Sequence, residues 1–323
     1  MLPHNTDHQP VTKTERKKGR AKTMRKKLLF IFNPHSGKTT VKAHVADIID
    51  IFVKEGFDVE AYPTQCRGDA TAKIVKCGER FDNVVCSGGD GTLNEVINGL
   101  MKLEKKPVLG YIPTGSTNDF AQGLNLPSAI LEAAKIAVTG EDYRIDIGDF
   151  NDFNFVYIAA FGAFTEVSYS TPQDLKNILG HQAYIIEEIK QLANLRTYRV
   201  KFTLDDDVIE DDFLYGMITN ATSAGGIKGI TGKDISLNDG KFEVTLIKKI
   251  DDFAAAGDVL SVLTGLRDDA PGVIKRKVEK VTVESEDEIP WTNDGEFAGA
   301  YKKAEIGISG RAVTIKANPG TGS

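Results

Sequence analysis

Long apolar runs are absent from this sequence, and their absence excludes membrane-spanning proteins. The 323-residue chain contains no stretch that approaches the ~20 apolar residues a transmembrane helix needs. Its longest apolar runs, such as Leu28–Phe32 and Phe253–Ala256, have the length of a core strand or helix. No apolar segment follows the N-terminal charges, so a secretory signal peptide is not expected. We therefore expect a soluble globular protein.

Cysteine is also scarce. The chain has three, Cys66, Cys77 and Cys86, and their spacing does not match a metal-binding motif. Any disulfide pairing would leave one thiol over. Small apolar residues in a reducing compartment are the favoured interpretation, which predicts a cytoplasmic location.

Positive charge is concentrated at the N-terminus. Residues 1–27 hold nine Lys or Arg against two acidic residues, whereas residues 28–323 hold 31 basic and 44 acidic residues. An acidic body without a basic stripe disfavours nucleic-acid binding. The basic segment could contact an anionic membrane. A disordered extension over residues 1–23, upstream of a second candidate start at Met24, is the favoured interpretation.

The first half of the chain alternates predicted strands and helices. The strands are predicted at Lys27–Phe32, Asp58–Tyr62, Asn83–Cys86 and Val108–Ile112. The helices are predicted at Val41–Phe52, Gly68–Cys77, Thr92–Leu103 and Asn118–Leu124. Alternating strands and helices favour a parallel sheet covered on both faces. This half is therefore predicted to be an α/β nucleotide-binding domain.

After about Tyr143, short β-rich segments separated by turn residues replace this alternation. One predicted helix, Lys176–Asn194, interrupts them. The strands are predicted at Phe153–Ala160, Tyr198–Leu204, Phe213–Thr219, Phe242–Ile247, Val278–Val283 and Ala312–Lys316. This half is predicted to form an antiparallel sandwich or barrel.

The segment Ser87–Glu95, between a predicted strand and a helix, carries the strongest chemical signal. Three glycines in four positions let backbone amides approach a bulky anion. The helix beginning near Thr92 offers unpaired N–H groups and the positive end of its dipole. Asp90 would repel phosphate unless it meets a metal ion, its water shell or a nucleotide hydroxyl. For a lone loop, a tight turn capped by an aspartate is a competitive alternative.

Two further polar segments end predicted strands. Asn33–Lys38 suggests a Walker A loop, but Phe32 stands where the first glycine of that motif belongs, so a P-loop is disfavoured. Pro113–Ala121 could be simple helix-capping material. Because parallel strands present their carboxyl ends at one edge, all three segments should converge there. Convergence favours a ligand site over three unrelated turns.

A fourth polar segment, Trp291–Phe297, lies far along the chain. Its Asn-Asp-Gly sequence is a hairpin-turn signal. If the β-rich half folds back onto the phosphate loops, Glu296 could serve as general base for phosphoryl transfer to a hydroxyl.

Together these segments resemble the catalytic domain of the diacylglycerol kinase family, and within it the soluble bacterial lipid kinases. The matching elements are Asn33-Pro34-x-Ser36-Gly37, Gly88-Gly89-Asp90-Gly91-Thr92, Pro113-x-Gly115-x-x-Asn118-Asp119-Phe120-Ala121 and Asp294-Gly295-Glu296. The likeness extends from about Met24 to about residue 316. The second element is shared with NAD kinases and phosphofructokinases, whereas all four in this order are specific. Ser116 stands where the family usually has threonine, which keeps the hydroxyl.

The resemblance implies the domain organisation and the nucleotide site. An ATP-binding α/β domain would span residues 24–145, with a segment at about 309–319 packing back on it. A β-sandwich domain that takes lipid and metal would span residues 146–308. The residues implied to contact ATP are Asn33, Pro34, His35, Ser36, Gly37, Thr64, Gly88, Gly89, Asp90, Gly91, Thr92, Leu93, Asn94, Glu95 and Ser116.

The resemblance also implies catalytic and metal residues. Glu296 would be the base that activates the lipid hydroxyl, and Asp90 and Asp119 would help to hold a catalytic Mg²⁺ through water. Bacterial members have a structural Mg²⁺ site as well. Here it would use the carboxylate of Asp239 and the main-chain oxygens of Ser236 and Lys241. A plain hairpin turn remains the alternative for that loop.

The leading hypothesis is therefore ATP-dependent phosphorylation of a membrane lipid alcohol, diacylglycerol first, by a peripheral membrane protein. Related bacterial enzymes suggest a homodimer by analogy. An NAD kinase-like phosphotransferase and a catalytically silent lipid- or nucleotide-binding module are the two alternatives. The sequence does not distinguish diacylglycerol from an isoprenoid alcohol, a long-chain base or phosphatidylglycerol.

Overall fold

The computed structural model describes residues 25–36, 41–163, 196–221, 223–224, 227–228, 235–250, 252–263 and 266–318. The predicted basic extension 1–23, the predicted helix Lys176–Asn194 and the candidate ligand-binding residue Gly37 lie outside the described residues.

Four parallel strands form the sheet of the N-terminal half. They are β1 (Lys26–Phe32), β2 (Phe57–Pro63), β3 (Asn83–Gly88) and β4 (Val108–Pro113). Their order across the sheet is β4-β3-β1-β2, and neighbouring strands pair in parallel. This parallel sheet was predicted from the alternation of strands and helices, and the prediction is confirmed.

Helices cover both faces of this sheet. They are α1 (Val45–Lys54), α2 (Asp69–Cys77), α3 (Asp90–Met101), α4 (Asp119–Gly123) and α5 (Ile130–Thr139), with short 3₁₀ turns at Val41–His44 and Gly78–Arg80. Helix α5 was not predicted from the sequence. Alternate residues of β1 enter two separate cores, because successive side chains of a strand point to opposite faces. That geometry explains why β1 is a continuous apolar run.

The C-terminal half is antiparallel. Its strands are β5 (Glu141–Phe150), β6 (Phe153–Phe155), β7 (Ile158–Gly162), β8 (Tyr198–Leu204), β9 (Asp207–Thr219), β10 (Ser223–Ala224), β11 (Ile227–Lys228), β12 (Phe242–Lys248), β13 (Val273–Val278), β14 (Val281–Asn293) and β15 (Glu296–Ala317). Helix α6 (Phe253–Leu263) lies between β12 and β13. The fully buried Trp291 packs against Phe150 and Phe161 at the centre of the core.

Four strand predictions were wrong in their boundaries. The predicted strands Phe213–Thr219 and Ala312–Lys316 are only the last parts of the longer strands β9 and β15. The other two predicted strands are each divided. The predicted strand Phe153–Ala160 is two strands, because the amides between β6 and β7 turn toward the carboxylate of Asp294. The predicted strand Val278–Val283 is the end of β13 and the start of β14. The intervening Glu279 and Lys280 donate their amides to Asp205 instead of to a strand.

Strand β15 joins the two halves. Its first part pairs with β14, with Glu296 opposite Asn293, and its last part pairs with β5. Ile315 also pairs in parallel with Leu109 of β4. One strand therefore runs from the Glu296 turn to the edge of the parallel sheet. The domain boundaries at residues 24–145, 146–308 and 309–319 stay a prediction.

The helices that the structure describes include none with both the length and the apolar character to cross a bilayer.

Candidate active site

Three polar segments meet at the carboxyl edge of the parallel sheet. The amide of Asn33, after β1, donates to the carbonyl of Ser87 in β3 at 2.9 Å. The amide of Thr114, after β4, donates to the carbonyl of Gly88 at 2.8 Å. The Ser36 hydroxyl reaches back to the carbonyl of Thr114 at 3.2 Å. The convergence that the sequence predicted is therefore present.

The end of β2 joins the same edge. The amide of Thr64 donates to the carbonyl of Phe32 at 2.9 Å, which places Thr64 beside the turn that follows β1. In that turn, which contains Pro34, the side-chain oxygen of Asn33 accepts the amide of His35 at 2.9 Å. The described part of the first polar segment, residues 33–36, therefore begins with a turn closed by the asparagine side chain, as in other Asx turns.

Two glycines at this edge are required by packing. A Cβ placed on Gly115 would lie 2.5 Å from the Cα of Gly89 in the neighbouring loop. A Cβ placed on Gly88 would lie 2.4 Å from the side chain of Thr92. The loops after β3 and β4 can approach this closely because Gly115 lacks a side chain, while Gly88 leaves room for Thr92 in its own segment.

Gly91 has a different environment. A Cβ placed there would meet no described heavy atom within 4 Å, so this residue borders open space. Gly91 is the second residue of α3, where the helix dipole presents its positive end. Open space beside a helix N-terminus is where an anion can approach backbone amides. Leu93, two residues on, is instead buried in the core.

The loop after β4 is closed by Asn118. Its side-chain oxygen accepts the amide of Gly115 at 2.8 Å, and its amide group donates to the carbonyl of Gly115 at 3.0 Å. Asn118 itself takes a left-handed conformation with φ of 52°. This arrangement leaves Ser116 exposed at the tip of the loop.

Two carboxylates lie together where the segments after β3 and β4 begin their helices. Asp90 accepts the amide of Asp119 at 3.2 Å, and Asp119 is itself buried. Burial raises the pKa of Asp90 to about 6, and the charge of Asp119 adds to the rise. The second oxygen of Asp90 is buried without a hydrogen-bond partner among the described residues. An unpartnered carboxylate oxygen beside another carboxylate suits a hard cation such as Mg²⁺.

Asp294 anchors the turn that carries Glu296. It is buried and accepts the amides of Val156 at 2.7 Å, Tyr157 at 2.9 Å and Ile158 at 3.1 Å. It also accepts the side-chain amide of Asn94 on α3 at 2.5 Å. Burial raises the pKa of Asp294, while these four donors favour its ionised form. The β14–β15 turn is thereby fixed to the α/β half.

Glu296 emerges from this turn at the edge of the site. Its carboxylate is exposed and lies 3.1 Å from the guanidinium of Arg67, before α2. Burial raises the pKa of Tyr157 well above its usual value, and four carboxylates add to the rise: Asp294, Asp90, Asp119 and Glu296. One tyrosine therefore responds to the charges of Glu296, Asp90 and Asp119, which come from different parts of the chain. The sequence did not predict Tyr157 or Arg67.

Comparison with known proteins shows which family shares this arrangement. Residues 27–150 match the diacylglycerol kinase catalytic domain, and residues 161–315 match the YegS C-terminal NAD kinase beta sandwich-like domain. The diacylglycerol kinase of Bacillus subtilis (strain 168) is 35% identical over 276 residues, covering 85% of this chain and 91% of that protein. The chain belongs to the diacylglycerol kinase family. The diacylglycerol kinase of Staphylococcus carnosus (strain TM300) is 34% identical over 278 residues, covering 85% and 90%.

Solved structures agree with the family fold. The crystal structure of a diacylglycerol kinase from Bacillus anthracis str. Sterne superposes with a TM-score of 0.74 at 24% identity, over 93% of this chain and 99% of that chain. A second structure from the same organism gives a TM-score of 0.77 at 27% identity over the same shares. The predicted fold class, an α/β domain followed by a β-sandwich domain, is confirmed.

Two residues implied to contact ATP have side chains engaged elsewhere. The carboxylate of Glu95 accepts the amides of Gly68 at 2.8 Å and Ala70 at 3.2 Å, at the start of α2. Asn94 holds Asp294, as described above. In this member of the diacylglycerol kinase family, both side chains therefore orient neighbouring segments. Their contacts with ATP stay predictions.

The loop implied to hold a structural Mg²⁺ already has protein partners. The carboxylate of Asp239 lies 2.7 Å from the ammonium of Lys277, and its other oxygen accepts the amide of Lys241 at 3.1 Å. Ser236 donates its hydroxyl to Asn238 at 3.0 Å. A cation at Asp239 would compete with Lys277 for this carboxylate. The Mg²⁺ site at Ser236, Asp239 and Lys241 stays a prediction.

Asp90→Asn should stabilise the metal-free protein near neutral pH. Because the pKa of Asp90 in the fold is about 6 against 3.8 ordinarily, the native state binds this proton more tightly than the unfolded chain. The cost of ionisation is absent below about pH 4, grows as the pH rises and is complete above about pH 7. We expect a gain on the order of 3 kcal/mol at about pH 7.5 and less than about 1 kcal/mol at about pH 4.

Urea unfolding with a chelator at both pH values measures this effect. The exposed Asp152→Asn, in the β5–β6 turn, is the matched control and should change stability little at either pH. An Asp90→Asn gain that is equal at both pH values would show that ionisation of Asp90 is not its cause.

Proposed function

We propose that this protein transfers the γ-phosphate of ATP to the hydroxyl of diacylglycerol, giving phosphatidic acid. The observation that carries the proposal is the hydrogen bond from Asn94 to Asp294, which holds the turn that bears Glu296 against the helix that begins at Asp90. Binding a nucleotide alone would not require a carboxylate from the other half of the chain. The relatives' names, diacylglycerol kinase, support the same reaction class.

The α/β half supplies the nucleotide site in this proposal. Backbone amides at the start of α3 and the turn after β1 bind the phosphates, and Gly91 leaves room for their approach. Asp90 and Asp119 would hold Mg²⁺, which neutralises charge on the phosphates. Ser116, at the exposed tip of its loop, contributes a hydroxyl at the same edge.

Glu296 supplies the general base. It takes the proton of the lipid hydroxyl as that oxygen forms a bond to the γ-phosphorus, and the bond from this phosphorus to ADP breaks. Asp294 contributes by fixing the turn, since its four hydrogen bonds determine where Glu296 lies. Transfer therefore depends on a carboxylate that both reaches the hydroxyl and keeps a fixed position.

An exposed aromatic residue beside the base favours a lipid acceptor. Phe297, next to Glu296 in β15, is 54% exposed. Large apolar side chains at a functional edge commonly mark a binding surface for apolar ligands. An acyl chain could cover Phe297 while the lipid headgroup meets Glu296. Such a substrate requires the protein to visit a membrane surface as a peripheral protein.

Two glycine substitutions separate phosphate binding from packing. Gly91→Ala should leave stability unchanged or raise it by up to ~1 kcal/mol, since alanine favours the helix. Its methyl group would occupy the open space beside α3, and we expect ATP affinity to fall on the order of tenfold. Gly115→Ala should instead lose about 1–3 kcal/mol, because its methyl group overlaps Gly89.

Thermal melting and ATP titration of both variants measure these effects. Unchanged ATP affinity in Gly91→Ala would show that the phosphates do not bind at the start of α3. A fully stable Gly115→Ala would mean that the two loops can separate without cost.

The proposed function is tested by phosphate transfer from γ-labelled ATP to a panel of lipids in mixed micelles. The panel contains diacylglycerol, an isoprenoid alcohol, a long-chain base and phosphatidylglycerol. Label on diacylglycerol supports the proposal. Label on another lipid alone would support the phosphoryl-transfer mechanism but reject diacylglycerol as the substrate. If no lipid is labelled, the result would favour a catalytically silent binding module.

A further inference from the structure

Arg67 is an exposed residue placed against the proposed base. It lies in the segment between β2 and α2, and one of its terminal nitrogens is 3.1 Å from a carboxylate oxygen of Glu296. Its side chain is 76% exposed and that of Glu296 is 57% exposed. An ion pair this exposed contributes little to stability. A contribution to stability therefore does not account for the contact between Arg67 and Glu296.

The protein nevertheless fixes both sides of the pair. On one side, Glu95 accepts the amides of Gly68 and Ala70, the residues that follow Arg67. On the other side, Asn94 donates to Asp294, two residues before Glu296. Asn94 and Glu95 are consecutive residues of α3, so one helix positions the segments that carry the arginine and the base.

The reaction geometry places a phosphoryl group within reach of this arginine. A general base lies about 2.6–3.2 Å from the hydroxyl oxygen whose proton it takes. That oxygen must come within about 3–3.5 Å of the γ-phosphorus in a reactive arrangement. A guanidinium that contacts Glu296 is therefore close to the phosphoryl oxygens. A guanidinium carries several N–H donors, so one can donate to a carboxylate and another to a phosphoryl oxygen.

We propose that Arg67 is a catalytic residue that binds the transferred phosphoryl group and stabilises its charge in the transition state. This inference rests on the proposed function. The lipid hydroxyl gives its proton to Glu296, its oxygen bonds to the γ-phosphorus, and ADP departs with the electrons of the broken bond. Arg67 donates hydrogen bonds to the phosphoryl oxygens throughout and exchanges no proton.

The test compares three variants of the full chain. Arg67→Ala should lower kcat on the order of 100-fold, the usual effect of losing one donor to transition-state charge. Arg67→Lys should recover only part of that loss, because lysine keeps the positive charge but lacks the planar set of N–H donors. Arg80→Ala is the matched control, since it removes an equally exposed arginine that lies 3.9 Å from Glu60. It should leave kcat unchanged.

Binding measurements separate this role from a structural one. Arg67→Ala should bind ADP as the wild type does, but should lose at least tenfold in affinity for ADP with Mg²⁺ and aluminium fluoride, which mimics the phosphoryl group in transfer. Equal weakening for ADP and for the aluminium fluoride complex would overturn the inference. So would a kcat equal to that of Arg80→Ala. A wild-type protein that labels no acceptor would instead overturn the proposed function itself.

Discussion

Glu296→Gln should lose most turnover, on the order of 100-fold or more, while ATP binding and melting temperature stay close to those of the wild type. Glutamine keeps the size of the side chain and its ability to accept a hydrogen bond, but its amide cannot take the proton of the lipid hydroxyl. Because the side chain is exposed, its replacement removes little packing. The expected result is therefore a loss in kcat without a loss of fold.

A matched control is available in the same strand. Glu305 lies in β15, is exposed and forms an ion pair with Lys303 at 2.7 Å. Glu305→Gln removes a comparable charge nine residues further along β15 and should keep full turnover. Transfer kinetics and ATP titration on both variants complete the comparison. Near-normal turnover in Glu296→Gln would refute its role as base.

Asp294→Asn should destabilise the fold strongly. The native carboxylate is buried and accepts hydrogen bonds from Val156, Tyr157, Ile158 and Asn94. An asparagine side chain has only one acceptor oxygen, so its NH₂ group must face donors that then lose their partner. Leaving buried donors unsatisfied costs about 1–3 kcal/mol, and more for a charged group, so we expect a loss on the order of 3 kcal/mol.

Chemical unfolding of Asp294→Asn measures this loss. Asp206→Asn, an exposed residue of the β8–β9 turn, is the control and should remain within about 0.5 kcal/mol of the wild type. Turnover of Asp294→Asn should fall as well, since Glu296 loses its anchor. Wild-type stability would mean that the four hydrogen bonds contribute much less than their geometry indicates.

The convergence of the three polar loops could be predicted from the sequence because it follows from a general rule. Parallel strands present their carboxyl ends at one edge, so polar residues after β1, β3 and β4 had to meet there. The rule works without knowing any side-chain contact. Asp90 and Asp119 each begin a helix directly after such an edge, but only the family resemblance implied that they hold a metal ion.

The orienting contacts could not be predicted, because they join residues far apart in the chain. Asn94 and Asp294 are 200 positions apart, and no local pattern indicates that they meet. The sequence identified the turn Asn293-Asp294-Gly295 but could not show that Asp294 anchors it. Arg67 reads as an ordinary surface arginine until the fold places Glu296 beside it.

Side-chain direction was the other limit. The resemblance assigned a continuous run from Gly88 to Glu95 to ATP. In the structure this run enters helix α3, whose side chains point in different directions around its axis. Leu93 therefore enters the core and Glu95 turns to α2, while Gly91 faces open space. Only the fold separates these roles.

The most direct test of the central claim is one reaction with γ-labelled ATP, Mg²⁺, diacylglycerol in mixed micelles and an equal amount of NAD, run with wild type and Glu296→Gln in parallel. We expect labelled phosphatidic acid with the wild type, no labelled NAD product, and a large loss of labelled phosphatidic acid with the variant. Label on NAD alone, or equal label with both proteins, would contradict it.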